Sequence, residues 1–356
     1  MRIVITGASG NIGTALLREL GSSWEVTGVA RRVPDLAAEP YSGVSWLQLD
    51  LGEPGAEEAL ALEFDGADAV VHLAWAISPA WREPAMWRTN EDGTRHVLDA
   101  AAKAGVGHVV CASSVAAYGP GPRGEKVAED FPRTGIPASA YSRGKAELET
   151  VLDAFAAAHP QVELARIRPC AVLQRPAAGE FTRWLLGPVI PPGLLGGRLL
   201  PIPLWNGLRV QAVHSDDVAS AVRLILEQRA TGPFNLAAPD VLDANALARL
   251  FGGLRLPVGK PVARFAARLA WTAGLQPLHP GWLELADRAA LVDTTRAELV
   301  LGWQPRHSTE ETLAELVEGL RGKAAGASPP LAGTATGLRA RVRALARRRP
   351  THQSQA

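Results

Sequence analysis

The feature that most constrains the fold is a glycine-rich turn near the start of the chain. Residues 7–13 read Gly-Ala-Ser-Gly-Asn-Ile-Gly, and they separate the β-branched run Arg2–Thr6 from the helical pattern Asn11–Leu20. Glycines let a backbone turn sharply and approach a ligand closely, and the first turn of a helix offers free N–H groups to phosphate. In the order strand, turn, helix, this spacing predicts a dinucleotide-binding βαβ unit rather than an isolated structural turn.

The rest of the first half alternates short apolar runs with helical patterns. Near-continuous apolar character is typical of strands that are buried on both faces of a parallel sheet. Alternation of such strands with helices predicts right-handed βαβ units and therefore a doubly wound α/β Rossmann sheet. The predicted strands are 2–6, 26–30, 44–48, 69–73, 108–111, 162–167, 210–213 and 234–236, and the predicted helices are 11–20, 94–104, 217–228 and a long helix after Ser139.

Changes in composition predict two domains and a tail. Residues 1–170 form the nucleotide-binding domain, which residues 212–240 complete, while 171–211 and 241–321 form a smaller substrate domain. After residue 321 the chain turns to Ala, Gly, Pro and Ser, so residues 322–356 are expected to be a disordered linker and tail.

The tail also concentrates the positive charge of the chain. It contains seven Lys and Arg residues and no acid, while the whole chain has a formal net charge of +1. The remaining body is therefore mildly acidic, which argues against nucleic-acid binding. The basic tail could touch anionic lipid, although a solvated tail is the favoured interpretation.

Cysteine usage and the apolar segments indicate a cytoplasmic protein. The two cysteines, Cys111 and Cys170, have no metal-ligand spacing and are expected to be reduced thiols, so no metal site is predicted. Met1 leads directly into the first strand without a secretory leader. The most apolar window, residues 185–204, contains five prolines and is a poor membrane-spanning helix.

The residues after the second strand favour NADP(H) over NAD(H). Sites for NAD usually place an acid at this point to hold the ribose 2′-hydroxyl, whereas this chain has Ala30 followed by Arg31 and Arg32. Two guanidinium groups suit a 2′-phosphate, since each can pair with its oxygens. The alternative is a solvated basic turn. Asp50, after the third strand, is a candidate acceptor for the adenine amine or simply a turn residue.

Three residues form a candidate catalytic group. Tyr141 and Lys145 lie one helical turn apart and on one face, and Ser114 follows the fifth strand. The pKa of a tyrosine beside an ammonium and an oxidised nicotinamide is expected to fall from about 10 towards neutrality, where the phenol can act as acid or base. The Ser114 hydroxyl can polarise the substrate oxygen beside it.

With these motifs the chain resembles the extended short-chain dehydrogenase/reductases, specifically the NAD-dependent epimerase/dehydratase family. The resemblance implies a sheet of about seven strands and a small C-terminal substrate domain. It also implies hydride transfer between the nicotinamide and a secondary alcohol or ketone carbon. The matching segments occur in family order at residues 6–13, 50–51, 72–74, 90–94, 114–119, 141–145, 168–169, 214–218 and 301–303.

The resemblance also assigns site residues. Ser114, Tyr141 and Lys145 become the catalytic triad, and the substrate becomes a small alcohol, ketone or sugar derivative, bound by a monomer or a homodimer. The cofactor-binding residues are then Gly7, Ser9, Gly10, Asn11, Ile12, Gly13, Arg31, Arg32, Asp50, Leu51, Leu73, Ala74, Asn90, Tyr141, Lys145 and Pro169.

Departures from the family pattern narrow the reaction. Sugar-nucleotide 4,6-dehydratases carry an Asp-Glu pair directly after the triad serine or threonine, whereas this chain has Val115 and Ala116. Nucleotide-sugar 4-epimerases carry an arginine seven residues before a later aspartate. Counting back from Asp217 gives Val210, with Arg209 one place out of register. Dehydration of the substrate is therefore not expected, and binding of a nucleotide-sugar diphosphate by an arginine at this position is doubtful.

Three functional interpretations remain after these departures. The favoured one is an NAD(P)-dependent oxidoreductase or epimerase, and the alternatives are a nucleotide-sugar 4-epimerase and a non-catalytic NADP(H)-sensing module. The intact triad argues against the sensor. The apolar segment 181–205, with Trp75 and Trp81, predicts either a packed cap over the cleft or a pocket for a hydrophobic alcohol or ketone.

Overall fold

A parallel sheet of seven strands forms the centre of the molecule, in the order β3-β2-β1-β4-β5-β7-β12. The computed structural model describes residues 1–78, 84–182, 200–276 and 278–333. The sheet confirms the predicted doubly wound Rossmann architecture. Its strands are β1 (Arg2–Thr6), β2 (Glu25–Ala30), β3 (Ser45–Gln48), β4 (Ala69–His72), β5 (His108–Ala112), β7 (Glu163–Pro169) and β12 (Gly232–Leu236).

Strand β1 lies at the point where the strand order reverses. Ile3 pairs with Val26 of β2 on one side and with Ala69 of β4 on the other. All three residues are buried, as a strand covered on both faces requires. In doubly wound sheets the ligand crevice opens at this switch point, beyond the carboxyl ends of the strands. The first glycine-rich turn leaves β1 at that edge.

Helices cover both faces of the sheet. Helices α1 and α7 pack on one face, where Leu16, Val222 and Phe234 belong to one core cluster. Helices α2, α4 and α5 lie on the other face, with Leu60 and Leu152 in a second cluster. The helices are α1 (Asn11–Leu20), α2 (Ala56–Phe64), α3 (Pro84–Trp87), α4 (Gly93–Lys103), α5 (Ala140–Ala158), α6 (Ala178–Phe181), α7 (Ser215–Gln228), α8 (Ala244–Leu250), α9 (Lys260–Thr272), α10 (Gly281–Arg288), α11 (Thr295–Leu301) and α12 (Thr309–Gly322).

Short strand pairs build the part of the molecule outside the main sheet. Trp205, Leu208 and Leu316 belong to a separate core cluster there. Among the described residues no helix combines the length and apolar character needed to cross a bilayer. The strands outside the main sheet are β6 (Lys126–Val127), β8 (Ala171–Leu173), β9 (Leu200–Trp205), β10 (Arg209–Val210), β11 (Ala212–His214), β13 (Leu242–Asp243), β14 (Gly253–Val258) and β15 (Leu291–Val292).

The single strand predicted over residues 210–213 is wrong. The segment forms two strands, β10 and β11, which pair with different partners, β13 and β8. Gln211 separates them because its buried side chain bonds to other backbone segments. Its amide donates to the carbonyls of Ala238 and Val292, and its oxygen accepts from the N–H of Val292.

The segment predicted to begin the linker packs against the body instead. After α12 the chain turns back, with the N–H of Gly326 donating to the carbonyl of Leu331 at 2.9 Å. Leu331 and Ser328 are fully buried. Burial of the apolar Leu331 side chain stabilises this segment, although its composition alone predicts a linker. The basic residues beyond Gly333 lie outside the described residues.

A buried ion pair fixes helix α5 to strand β7. Two nitrogens of Arg168 donate to the two carboxylate oxygens of Glu149 at 2.7 and 2.9 Å. Although burial alone raises the pKa of Glu149, its hydrogen bonds from Arg168 lower that pKa to about 2. The N-terminal end of α5 is also fixed, since the Ser139 hydroxyl caps it by accepting from the N–H of Ser142. The helix is thus held at its start and at its middle.

We predict that Arg168→Met lowers the free energy of unfolding by about 3 kcal/mol or more, because it leaves the Glu149 carboxylate buried without its bidentate partner. Denaturant-induced unfolding measures this change. Lys103→Met is the matched control, since it removes an exposed cation that lies 3.6 Å from Glu57. Equal stability of the two variants would contradict the assigned role of the Glu149–Arg168 pair.

Candidate active site

The turn after β1 has a shape that only glycine permits. Gly7 has a φ of +75°, and a Cβ atom there would lie 2.6 Å from the backbone nitrogen of Ala74. A Cβ at Gly13 would lie 2.6 Å from the Cα of Ala8. Helix α1 then begins after Gly10 without a side-chain cap. The backbone N–H groups of its first turn therefore remain available to an anion.

A cavity of about 560 Å³ extends from this turn towards the carboxyl ends of β5 and β7. A volume of this size accommodates an extended ligand of cofactor class. The cavity brings together every predicted site residue except Asn90. The predicted residues in its wall are Gly7, Ser9, Gly10, Asn11, Ile12, Gly13, Arg31, Arg32, Asp50, Leu51, Leu73, Ala74, Ser114, Tyr141, Lys145 and Pro169.

Asn90 is absent from the wall of this cavity and supports it from behind, and its predicted position along the cofactor stays a prediction. Its side-chain oxygen accepts from the N–H of Ala76 at 2.7 Å, and its amide donates to the carbonyl of Ala76 at 2.9 Å. These two hydrogen bonds satisfy the backbone N–H and carbonyl of Ala76, which belongs to a segment that leaves β4 and lines the cavity. Asn90 therefore holds the shape of the wall, because its polar atoms are already used.

The side chain of Asn11 is likewise used within the protein. Its amide donates to the carbonyl of Val172 at 2.9 Å, and its oxygen accepts from Gln174 at 2.7 Å and from Ser215 at 3.0 Å. These contacts tie the start of α1 to β8 and α7. The part of Asn11 that can serve a ligand is its backbone N–H.

The adenosine end of the cavity carries the predicted basic residues. Arg31 and Arg32 follow β2, and a nitrogen of Arg31 lies 4.0 Å from a carboxylate oxygen of Asp50. Asp50 also accepts from the N–H of Gly52 at 3.2 Å, which supports its interpretation as a turn residue. Both arginines can reach a ligand in this wall, since the Arg31 side chain is 55% exposed.

Ser114 stands at the opposite end of the cavity and is held by backbone contacts. Its oxygen accepts from the N–H of Ala116 at 3.1 Å and lies 3.4 Å from the carbonyl of Pro169. The turn that follows is fixed by Ser142, whose hydroxyl donates to the carbonyl of Ala116 at 2.6 Å. Because Ser142 belongs to α5, the same contact sets Ser114 relative to Tyr141.

Tyr141 lies next to Ser114 under an aromatic side chain that the sequence motifs did not single out. The ring of Trp282 stacks on the ring of Tyr141, with centroids 5.3 Å apart. Burial raises the pKa of the Tyr141 phenol, and its hydrogen bond with Ser114 acts in the opposite direction. The expected fall in this pKa is therefore not observed in the protein by itself.

The protonation of Lys145 affects the Tyr141 phenol, and the expected fall of the tyrosine pKa beside an oxidised nicotinamide stays a prediction. Its ammonium donates to the carbonyl of Ala112 at 2.8 Å and lies 3.7 Å from the centre of the Trp75 ring. Burial lowers the pKa of Lys145 to about 7, against smaller opposite effects of Cys111 and Glu149. A lysine that is only partly charged at neutral pH stabilises a phenolate less than a full cation does.

Two residues of the segment after α12, one of them in the cavity wall, were missed in the sequence. Pro330 lines the cavity, and the hydroxyl of Ser328 donates to the carbonyl of Ser9 at 2.7 Å in the glycine-rich turn. The segment after α12 thus covers the turn. Composition carried no signal for it, because the contact joins residues that are 319 positions apart.

The substrate side of the cavity differs from expectation at Arg209. This residue lines the cavity together with Val210 and Gln211, although its spacing from Asp217 is one residue out of register. One of its nitrogens donates to the carbonyl of Leu208 at 3.0 Å. Leu285 on α10 gives the wall of the cavity apolar surface. Trp81 and residues 183–199 of the predicted apolar segment lie outside the described residues.

Comparison with known proteins supports this geometry. The model of the NAD dependent epimerase/dehydratase family matches residues 3–237. An uncharacterised protein of Mycobacterium tuberculosis is 30% identical over 326 residues, which are 91% of this chain but only 30% of that protein. The chain therefore spans less than a third of that relative's length. The UDP-glucose 4-epimerase of Mycolicibacterium smegmatis is 30% identical over 339 residues, covering 91% of this chain and 99% of the epimerase.

The fold is shared with solved structures. The Thermus thermophilus UDP-glucose 4-epimerase complex with NAD superimposes with a TM-score of 0.64 at 22% identity, over 90% of this chain and 99% of the epimerase chain. The family match covers more than half of the chain and includes the glycine-rich turn, Ser114, Tyr141 and Lys145. The chain belongs to the NAD-dependent epimerase/dehydratase family of extended short-chain dehydrogenase/reductases, as its motifs predicted.

Proposed function

We propose that the protein transfers a hydride between a nicotinamide dinucleotide and a secondary alcohol or ketone carbon of a small substrate. The observation that carries this proposal is the convergence of Ser114, Tyr141 and Lys145 at one end of the cavity whose other end is the glycine-rich turn. The turn fits a dinucleotide because a Cβ at Gly7 would collide with the backbone at Ala74. When bound, the nicotinamide supplies or accepts the hydride.

The chain's own residues move and hold the proton. The Ser114 hydroxyl donates to the substrate oxygen, so the charge that develops there meets a fixed donor. Tyr141 gives its phenolic proton to that oxygen in reduction and takes it back in oxidation. Lys145 has three N–H donors, and among the described residues the carbonyl of Ala112 accepts from one of them. The others can hold the ribose hydroxyls and favour the phenolate.

The surroundings of Tyr141 exclude water from this proton transfer. The stacked ring of Trp282 covers one face of the phenol, and Ser114 and Lys145 are almost fully buried. Removal of water strengthens each polar interaction in the site because the local dielectric constant falls. It also raises the cost of an uncompensated charge, so the phenolate is favoured only when positive charge is close.

NADP(H) is the preferred cofactor in this proposal, with NAD(H) as the alternative. Arg31 and Arg32 line the cavity at the end of β2, where Ala30 replaces the acid that a free ribose 2′-hydroxyl would use. Their guanidinium groups can pair with a 2′-phosphate. The Thermus relative was solved with NAD, so its complex supports the dinucleotide class rather than this preference.

The substrate class is proposed at the level of an alcohol, a ketone or a sugar derivative. Arg209 in the cavity wall favours a nucleotide-sugar substrate, in agreement with the names of the epimerase relatives. Leu285 and Trp282 give the same wall apolar surface that suits a more hydrophobic substrate. If the keto product dissociates the enzyme is a reductase, and if it receives the hydride on its other face the enzyme is an epimerase. A non-catalytic NADP(H) sensor would need none of Ser114, Tyr141 and Lys145, so their presence together favours an enzyme over a sensor.

We predict that Tyr141→Phe lowers turnover roughly 10²–10⁴-fold, since it removes the proton donor and leaves the cavity shape unchanged. Turnover is followed by absorbance of the reduced nicotinamide in a screen that includes UDP-glucose and apolar secondary alcohols, with NADP⁺ and NAD⁺. The control is Tyr41→Phe, which removes a buried phenolic hydroxyl that lies 3.0 Å from the Thr14 hydroxyl and should leave turnover unchanged. Unchanged turnover in Tyr141→Phe would refute the proposed mechanism.

A second prediction concerns cofactor choice. Arg31→Ala combined with Arg32→Ala should weaken NADPH binding by about tenfold or more, because charge-assisted bonds to the 2′-phosphate are lost. The affinity for NADH should change little. Titrations followed by nicotinamide fluorescence measure both constants. Arg321→Ala, at the exposed end of α12, is the control for loss of one positive charge. Tighter binding of NADH than of NADPH by the parent protein would contradict the NADP(H) preference.

A third prediction follows from the buried amine. The pKa of Lys145 falls from 10.5 to about 7, so the unfolded chain binds more protons between these values and stability rises with pH across this range. The full cost of the buried charge is present below about pH 7. Lys145→Met should therefore raise the melting temperature most at pH 7 and below, with a gain that shrinks towards pH 10.

Thermal unfolding of the parent and of Lys145→Met across this pH range measures the difference. Lys103→Met, which removes an exposed lysine on α4, corrects for the loss of one positive charge. A stability gain that grew with rising pH would show that the sign is wrong. The variant should also lose turnover, because the donor to the ribose hydroxyls is gone.

A further inference from the structure

Helix α9 (Lys260–Thr272) exposes its large apolar residues to solvent, whereas an ordinary surface helix turns them to the core. None of its residues is fully buried. Its partly buried side carries small residues, namely Ala263, Ala267 and Ala270. Its large apolar side chains point outward instead: Val262 is 61% exposed, Phe265 70% and Leu269 59%. A surface helix normally turns such residues to the core, and a contiguous exposed apolar row marks an interaction surface.

These three residues form one row along the helix. They stand at spacings of three and four positions, which places them on a single face about two turns long. The strand before the helix continues the pattern, since Leu254 and Leu256 of β14 are 63% and 51% exposed. Gly259 alone separates β14 from α9. We call Val262, Phe265 and Leu269, together with Leu254 and Leu256, the α9 face.

The chain segment that carries the α9 face has formal charges of one sign only. Residues 244–283 contain no Asp or Glu, and they contain five cations: Arg249, Arg255, Lys260, Arg264 and Arg268. Arg264 pairs with Glu284 of α10 at 3.1 Å, and Lys260 pairs with Asp287 of the same helix. For Arg249 and Arg268, no carboxylate within salt-bridge distance occurs among the described residues. The apolar row is thus flanked by positive charge that the fold does not neutralise.

We propose that the α9 face docks the protein on the surface of an anionic lipid bilayer. A helix with large apolar residues on one face and arginines beside them lies in the membrane interface and buries its apolar face at the acyl boundary. Anionic headgroups complement the unpaired arginines. A second copy of this chain is a poorer occupant, because two faces of equal positive charge repel each other.

The position of the helix gives this docking a consequence for the site. At the C-terminal end of α9, the ring of Trp271 packs edge-on against His279, with ring centroids 4.8 Å apart. His279 in turn lines a small cavity with Tyr141 and Trp282. The partly buried side of helix α9 therefore adjoins the substrate end of the active site rather than the adenosine end, and the α9 face lies on the opposite side of the same helix. Docking would thus hold the substrate end near the bilayer, one helix away from it.

Vesicle flotation with the full chain tests the proposal. Vesicles of phosphatidylcholine mixed with phosphatidylglycerol should carry the parent protein, and vesicles of phosphatidylcholine alone should carry much less. Phe265→Ser combined with Leu269→Ser should lower the bound fraction on anionic vesicles by roughly tenfold, since the apolar row is lost. Arg268→Glu should lower it as well, and added salt should weaken what remains.

The matched control is Leu62→Ser combined with Leu299→Ser. These leucines are 82% and 80% exposed on α2 and α11, so the pair removes the same kind of side chain from other surfaces. Its vesicle binding should equal that of the parent. Circular dichroism and melting temperature verify that both double variants fold.

Two outcomes would overturn the proposal. If the parent and the Phe265→Ser/Leu269→Ser variant bind anionic vesicles equally, the attachment arises elsewhere, for example in the basic tail. If the parent does not bind them but has a larger mass in light scattering than the variant, the α9 face joins two copies of this chain. Turnover in solution is measured in parallel and should be equal in both proteins, so loss of docking stays distinguishable from loss of catalysis.

Discussion

The geometry of the proposed catalytic residues depends on the buried pair of Glu149 and Arg168. Helix α5 carries Tyr141 and Lys145 in its first turns, and Glu149 follows Lys145 by one turn on the same helix. The bidentate bonds to Arg168 therefore fix the helix to β7, the strand whose last residue, Pro169, lines the cavity. Two buried charges are costly to desolvate, and good geometry with further hydrogen bonds offsets that cost. Arg168 meets this condition, because it also donates to the Tyr118 hydroxyl and to the carbonyl of Glu129. The pair is thus a rigid support one turn beyond the reacting groups.

The same burial that fixes the helix sets the protonation of its side chains in opposite ways. Hydrogen bonds to Arg168 keep Glu149 charged, with its pKa lowered to about 2 despite desolvation. Among the described residues, the close partners of Lys145 are a neutral carbonyl and the Trp75 ring, so desolvation dominates and its pKa falls to about 7. Tyr141 follows Lys145, since burial raises its pKa and only Ser114 opposes the change. The phenol is therefore kept protonated until positive charge comes close, which suits a group that must give its proton to a substrate oxygen.

The sequence predicted what is encoded by local spacing, and it failed where distant segments meet. Gly7 to Gly13 could be assigned because backbone shape near phosphate demands glycine, and Tyr141 with Lys145 because helical periodicity fixes their common face. For Asn90 the sequence motif does not show that the side chain bonds to the backbone of Ala76, which only the structure reveals. The strand over 210–213 was merged because its apolar pattern does not reveal that Gln211 bonds to Val292. Ser328 and Trp282 could not be found at all, since their contacts with Ser9 and Tyr141 span more than a hundred residues.

This contrast separates what can be inferred about the cofactor from what can be inferred about the substrate. NAD(H) and NADP(H) share the pyrophosphate and the nicotinamide, so the site for these parts is built from backbone turns and strand ends that leave motifs in the sequence. The rest of the cavity wall, where we propose that the substrate binds, is formed by single side chains on short elements, such as Arg209 on β10, Trp282 on α10 and Pro330 after α12. Such elements have no periodicity long enough to predict their direction, and a shift of one residue changes which side chain faces the cavity. Arg209 illustrates this. Counting back from Asp217 placed it one residue out of register, but the chain is divided at Gln211 into two strands and Arg209 lies in the cavity wall. We therefore expect the substrate choice of this protein to depend on the part of the chain whose structure its sequence specifies least directly.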